Sequence, residues 1–171
     1  MYVYIIYMCV YVCVYLLFSL LLFFSFSYFL FPPLEFRGFH VRFQDIARGG
    51  VRLVRSNYTQ EFAQNTATVF DECYGLANTQ QRKNKDIPEG GSKGIILLNL
   101  AHQDKGRVAF QKFVDALMDL LLPHDSVVDH LGKREILFLG PDEGTADYMD
   151  WASLHAKARG CVFQGRMIRI L

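Results

Sequence analysis

One lysine lies among glycines: Ile87-Pro88-Glu89-Gly90-Gly91-Ser92-Lys93-Gly94 runs directly into the apolar stretch Ile95 to Leu98. Glycines remove side-chain bulk and let backbone approach a small ligand closely. The apolar stretch reads as a buried strand that fixes the lysine loop from below. A second loop of the same construction follows the apolar run Ile136-Leu137-Phe138-Leu139, as Gly140-Pro141-Asp142-Glu143-Gly144. Lys93 on one loop and Asp142 on the other form a candidate acid/base pair. A lysine is a useful general base only when burial or neighbouring cations favour its neutral form, and a nearby carboxylate can exchange protons with a substrate nitrogen. The plainer alternative is a solvated turn lysine. A phosphate loop does not fit, because GxxxxGK[ST] is not satisfied and no Ser or Thr follows Lys93.

The elements that must position this pair alternate. Phe39, Val41 and Phe43 interleave with His40 and Arg42, the period of a half-buried strand, with His40 on the exposed side. The chain is expected to bend at Gly49-Gly50, and a short strand from Val51 to Val54 to pair with the first or lie beside it. Phe62, Val69, Phe70, Cys73, Leu76 and Ala77 recur at helical spacing, which predicts a long amphipathic helix from Tyr58 to about Gln81. A helix from about Arg107 to Leu122, with Val108, Phe113, Val114, Leu117 and Leu121 on one face, stops at Pro123. A third, from Thr145 to Arg159, ends before Gly160. Strands alternating with helices predict an α/β domain with its functional loops at the carboxyl ends of strands. Glu143, Asp147 and Asp150 read as acidic residues favouring a helix amino end, and Trp151 as core.

Composition separates two parts of the 171 residues. Residues 1–34 carry no charge, and all 18 Lys and Arg and all 17 Asp and Glu lie from Glu35 onward. The body, residues 35–160, has the balanced charge of one domain, and its basic residues are scattered among acidic ones, which argues against a nucleic-acid partner. Cys9, Cys13, Cys73 and Cys161 form no CxxC pair and the five histidines show no ligand spacing, so a reduced, intracellular body without a metal is expected. Met1 to Phe31 is long enough to cross a bilayer, giving a possible membrane partner through residues 5–31, with the following arginines holding its carboxyl end in the cytoplasm. The competing reading is low-complexity, thymine-rich DNA carried into the reading frame, since Tyr, Val, Cys, Leu, Phe and Ser dominate up to Pro32-Pro33. Residues 161–171 show no further complete unit, and the chain is expected to be truncated there.

Three blocks carry a resemblance: FRGFHVRFQDIARGGVRLVRS, FDECYGLANTQQRKNKDIPEGGSKG and EILFLGPDEGTADYMDWASLHAKARG. In this order they resemble the catalytic core of the large NAD-specific glutamate dehydrogenases, over nearly all of residues 36–160. The resemblance implies a substrate-binding domain of amino-acid dehydrogenase type, a mixed sheet flanked by helices. It also implies NAD as cofactor, oxidative deamination of L-glutamate to 2-oxoglutarate and ammonia, and a homo-oligomer in a cytoplasmic or mitochondrial setting. Lys93 and Asp142 match the family's catalytic lysine and aspartate. Arg48-Gly49-Gly50-Val51-Arg52 matches a stretch that grips a substrate carboxylate, with Arg48 where the family has lysine. Gly90 and Gly91 match the lysine loop, and Lys83, ahead of Lys85, is the preferred match for a further lysine on the α-carboxylate.

No GxGxxG occurs in the chain. The expected reading is therefore a segment that holds substrate groups without the hydride acceptor, inactive by itself. Two other readings stand beside it: another amino-acid dehydrogenase, and a membrane-anchored, non-catalytic remnant acting as an interaction module.

Overall fold

The computed structural model describes residues 4–8, 35–83, 90–122, 124–125 and 136–160. In chain order its elements are β1 (Tyr4–Met8), β2 (Phe36–Arg42), β3 (Ile46–Val54), α1 (Thr59–Arg82), β4 (Gly90–Leu98), α2 (Gly106–Leu121), β5 (Ile136–Pro141) and α3 (Met149–Ala158). A short 3-10 turn, Leu100–His102, precedes α2, and another, Ala146–Tyr148, leads into α3.

The strands form one mixed sheet in the order β1-β2-β4-β3-β5. β1 and β2 run antiparallel to their neighbours, while β3, β4 and β5 are mutually parallel. The crossover from β3 to β4 and the one from β4 to β5 run in opposite directions along the sheet, so connections of one hand put their helices on opposite faces. One face is covered by α1, where Phe39, Val41, Phe43, Ile95 and Leu97 pack with Val69, Cys73 and Ala77. The other is covered by α2 and α3, where Val51, Leu53, Ile96, Leu98 and Leu139 pack with Phe110, Phe113, Leu117, Met149 and Ala152. The α/β architecture is that expected from the alternation of elements, and the mixed sheet with flanking helices is that implied by the resemblance.

Several local expectations are corrected. Glycine-rich sequence suggested a loop around Lys93 and a bend at Gly49-Gly50, but both stretches are strand: β4 begins at Gly90 and β3 runs unbroken through the glycine pair. In a strand interior, glycine marks a close approach of another backbone. A Cβ on Gly91 would lie 2.0 Å from the Ala77 carbonyl oxygen on α1, and one on Gly49 would lie 1.7 Å from the Ser92 carbonyl oxygen. β3 pairs with β4 and β5, not with β2, because β4 is inserted between them. β2 is covered on both faces, so His40 is fully buried rather than exposed. Val108 and Leu76 lie outside the apolar stripes of their helices and are exposed. The third helix starts later than expected, at Met149, after its 3-10 turn. Gly160 closes it at φ +72°, the left-handed conformation that glycine adopts without strain.

Of the apolar segment Met1 to Phe31, the described part is β1, which pairs along β2 from Tyr4↔Arg42 to Met8↔Gly38. Its Ile and Tyr residues suit strand as well as an apolar helix. The rest of the anchor expectation, and the tail 161–171, lie outside the described residues. Among the described residues no helix is long and apolar enough to cross a membrane.

Candidate functional site

The site grows out of the sheet register. Arg48↔Gly91 and Val51↔Gly94 between β3 and β4 put Gly50 level with Lys93, and Gly50 pairs with Gly140 on β5. Three adjacent strands therefore carry Lys93, Gly50 and Gly140 side by side on the α1 face, and Asp142 follows β5 immediately. The Lys93 ammonium reaches across the bare Gly50 backbone and forms an ion pair with Asp142 Oδ2. A Cβ on Gly50 would stand 3.1 Å from Asp142 Cβ and 3.4 Å from Oδ2, inside the space the pair uses.

Lys93 is 9% exposed. Burial lowers its pKa; Cys73 and Glu72 on α1 act in the opposite direction, and the Arg52 guanidinium lowers it further. The Asp142 carboxylate at its tip favours the charged form. The amine is thus held between a desolvated setting that prefers it neutral and a partner that can take or return its proton. The neighbouring Cys73 donates its thiol to the Lys93 carbonyl oxygen at 3.3 Å. Burial pushes Cys73 up to about 12, so it remains a thiol at neutral pH.

The Asp142 turn is tightly specified. Thr145, fully buried, donates its hydroxyl to the Val51 carbonyl oxygen at 2.8 Å and accepts the Asp142 N–H at 3.0 Å. Asp142 Oδ1 accepts the Glu143 N–H at 2.8 Å, which leaves Oδ2 aimed at Lys93. The Leu53 N–H donates to the Glu143 carbonyl oxygen at 3.0 Å, tying the turn to β3. Gly144 takes φ +73° with Leu53 Cβ only 3.2 Å from where its own Cβ would be, so the turn requires glycine there.

The remaining sequence candidates separate. Arg48 is exposed on β3, level with Gly91 and Phe138. Arg52, expected to grip substrate, is engaged within the fold: Nε and Nη2 donate to Glu143 Oε2 at 2.9 and 2.5 Å, and Nη1 donates to Glu72. Glu143 thereby has a specific partner beyond favouring a helix terminus. Gly91 offers no free N–H, since Gln81 Oε1 accepts it at 2.9 Å, and its carbonyl oxygen takes the Phe43 N–H at 3.1 Å. Gly90 lies against the Gln44 side chain. Lys83 is exposed at the carboxyl end of α1, and Lys85 lies outside the described residues. Trp151 is half-buried and stacks on His155 with ring centroids 4.6 Å apart.

Thr145, Glu72 and Gln81 carry no sequence signal of their own; only the register and the turn reveal them. Among the described residues no group of His, Cys, Asp or Glu could hold a metal ion. Nor do they fit a dinucleotide: the segments leaving β3, β4 and β5 are Arg55-Ser56-Asn57-Tyr58, Asn99 to Lys105, and Asp142-Glu143-Gly144-Thr145, none of them a glycine-rich turn opening a helix after a strand.

Sheet and site together define a mixed α/β domain in which a buried lysine meets a half-buried carboxylate. Residues 24–164 match the family described as bacterial NAD-glutamate dehydrogenase, catalytic domain, and the chain belongs to that family. It is 64% identical over 129 residues to Glutamate dehydrogenase 2 of Dictyostelium discoideum, covering 75% of this chain and 12% of that protein. It is 57% identical over 138 residues to the NAD-specific glutamate dehydrogenase of Neurospora crassa, covering 77% and 13%. The corresponding figures for the NAD-specific glutamate dehydrogenase of Saccharomyces cerevisiae are 56% over 131 residues, 74% and 12%. The chain thus spans about one eighth of the length of these relatives.

Proposed function

We propose that this chain is the substrate-handling segment of an NAD-dependent glutamate dehydrogenase, an oxidoreductase that deaminates L-glutamate to 2-oxoglutarate and ammonia. The observation that carries the reading is the Lys93–Asp142 ion pair across Gly50. Family membership supplies the substrate class, and the names of the relatives supply NAD.

In the proposed reaction the carbon–nitrogen double bond of the oxidised substrate, an iminium ion, must gain water and lose ammonia. Neutral Lys93 takes a proton from that water as it attacks, and Asp142 exchanges protons with the substrate nitrogen so that it leaves as ammonia. Arg48 supplies a cation for a substrate carboxylate, and the exposed Lys83 is the weaker candidate for a second. Gly49 and Gly50 keep this part of β3 free of side chains, while Gly90 and Gly91 act by allowing β4 to lie close to Gln44 and α1. The dinucleotide belongs to other parts of the protein, so residues 35–160 alone bind the dicarboxylate and do not turn it over. Intracellular placement and assembly of several copies are part of this proposal, by likeness to the family.

The test compares the full-length protein carrying these residues with its Lys93→Met form, following NADH formation from glutamate. Loss of the general base should cost at least about 10²-fold in kcat. Near-normal turnover by the variant would sink the assignment.

A further inference from the structure

We propose that Arg52 is a positioning residue, one that clamps the Asp142 turn between β3 and α1, and that it does not grip a substrate carboxylate. This inference rests on the roles of Lys93 and Asp142 proposed above. The guanidinium presents its donors as a rigid fork, and each arm already has a protein partner. Nε and Nη2 converge on Glu143 Oε2, and Nη1 lies on Glu72 Oε1. The next residue of β3 adds a backbone tie, Leu53 N–H to the Glu143 carbonyl oxygen at 3.0 Å. Glu143 is thus held at both its side chain and its main chain by two consecutive residues of one strand. Its own N–H in turn fixes Asp142 Oδ1 at 2.8 Å, so the orientation of the carboxylate that meets Lys93 depends on where Arg52 holds Glu143.

Charge balance points the same way. Two carboxylates already surround one guanidinium, and a third anion would enter a centre whose net charge is negative. With side chains 32%, 40% and 68% exposed for Arg52, Glu72 and Glu143, the individual pairs are weak. Their consequence is geometric: strand, helix and turn are held at one point beside the amine. The charged and titratable groups facing Lys93 are Asp142 from the turn, Arg52 from β3, and Glu72 and Cys73 from α1. Arg52 is the cation among the neighbours that act on the amine, so removing it shifts the amine toward its protonated form.

The experiment uses this chain and two readouts that need no substrate. Hydrogen exchange followed by NMR reports the Leu53 and Glu143 amides, and acetic anhydride labelling of Lys93 between about pH 6 and about pH 11 reports its titration. In Arg52→Gln both amides should exchange about tenfold faster and the labelling midpoint should rise by about half a pH unit or more. Arg52→Lys keeps the charge without the fork, so the amides should still exchange faster while the midpoint stays near that of the parent. Glu143→Gln, which leaves Arg52 in place, should reproduce the faster exchange and covers the case in which an Arg52 variant does not fold. Unchanged exchange in Arg52→Gln and Glu143→Gln would overturn the proposal.

A final arm adds 2-oxoglutarate. Protection of Lys93 from labelling should persist in Arg52→Gln; its loss there with unchanged exchange would make Arg52 a carboxylate grip instead. Failure of 2-oxoglutarate to protect the parent chain would count against the proposed function, while exchange and labelling would still decide the role of Arg52.

Discussion

Lys93 and Asp142 meet across a strand that belongs to neither of them, because β3 lies between β4 and β5 and offers only the backbone of Gly50 at the crossing point. The pair therefore depends on a missing side chain as much as on the two that are present. In Gly50→Ala the new methyl group stands 3.1 Å from Asp142 Cβ, so the carboxylate must give way by a few tenths of an ångström. On the roles proposed for Lys93 and Asp142, we expect kcat of the full-length protein to fall by about 10-fold or more, with a stability loss of no more than about 1 kcal/mol, because mispositioning of a reacting group costs rate far more than it costs folding. Steady-state kinetics beside urea unfolding of this chain checks both.

Lys93 itself should be expendable for folding. Desolvation of an ammonium is costly, and in Lys93→Met its removal offsets the lost ion pair, because the Asp142 carboxylate left behind has a side chain 34% exposed and stays hydrated. Lys93→Met should unfold at the same or higher urea concentration at pH 7. The pH dependence carries a signature. Burial holds the native pKa below the ordinary lysine value, so between the two the unfolded chain binds more protons and stability rises with pH. That rise should appear in the parent as pH approaches about 10.5 and be absent from Lys93→Met. Identical pH curves would show that the amine is not desolvated.

How much of this could be read beforehand depends on what each residue answers to. Helical periodicity in α1 and the apolar runs of β4 and β5 respond to burial, which local spacing records, and both were legible. The glycines mislead because glycine is equally at home in a flexible loop and in a strand crowded by other backbone; the carbonyl oxygens of Ala77 and Ser92 that settle the matter come from separate elements. The burial of His40 is hidden from the sequence because alternation suggests one buried face, and only the topology shows a helical layer on each side of β2. Lys93 and Asp142 were legible as residue types on successive strand-associated segments. Their contact was not, since it requires β3 to lie between them, and no local pattern encodes strand order.

His40 has a consequence for acid stability. Burial, reinforced by Arg42, lowers its pKa to about 3, and neither ring nitrogen has a hydrogen-bond partner in the fold. The unfolded chain takes up a proton below about pH 6.5, which the native chain refuses until much lower pH, so stability present above that value is lost as the solution is acidified. The full difference is on the order of 5 kcal/mol between pH 6.5 and pH 3 for that shift. His40→Leu removes both the titration and two unpaired buried nitrogens. Its urea midpoint should match or exceed that of the parent at pH 7 and decline less on acidification; an equally steep decline in both proteins would show that other groups carry the acid sensitivity.

Gly91 should tolerate nothing larger. A methyl group there would overlap the Ala77 carbonyl oxygen at 2.0 Å and the Gln81 amide nitrogen at 2.4 Å, and both belong to the α1 backbone, which cannot rotate away as a side chain can. Separating α1 from β4 would also lengthen the Gln81 contact to the Gly91 N–H. Overpacking of cores costs typically 1–3 kcal/mol, and a rigid helix backbone as the obstacle puts Gly91→Ala at about 3 kcal/mol or more. Thermal unfolding measures it, and a loss below about 1 kcal/mol would mean that α1 is free to move off the sheet.

Thr145 provides the test that separates a hydroxyl from a shape. Its oxygen bridges the Val51 carbonyl oxygen and the Asp142 N–H from a fully buried side chain, so Thr145→Val keeps the volume and takes this partner from one buried and one part-buried backbone group. Leaving such groups unpaired costs about 1–3 kcal/mol, and the turn carrying Asp142 loses its anchor to β3. Thr145→Ser keeps the hydroxyl and loses one methyl group, at about 1 kcal/mol. If the hydroxyl positions Asp142, Thr145→Val should lower kcat of the full-length protein by about 10-fold, leave KM for glutamate within about twofold, and be largely rescued in Thr145→Ser. Equal losses of kcat in the two variants would assign Thr145 to packing alone.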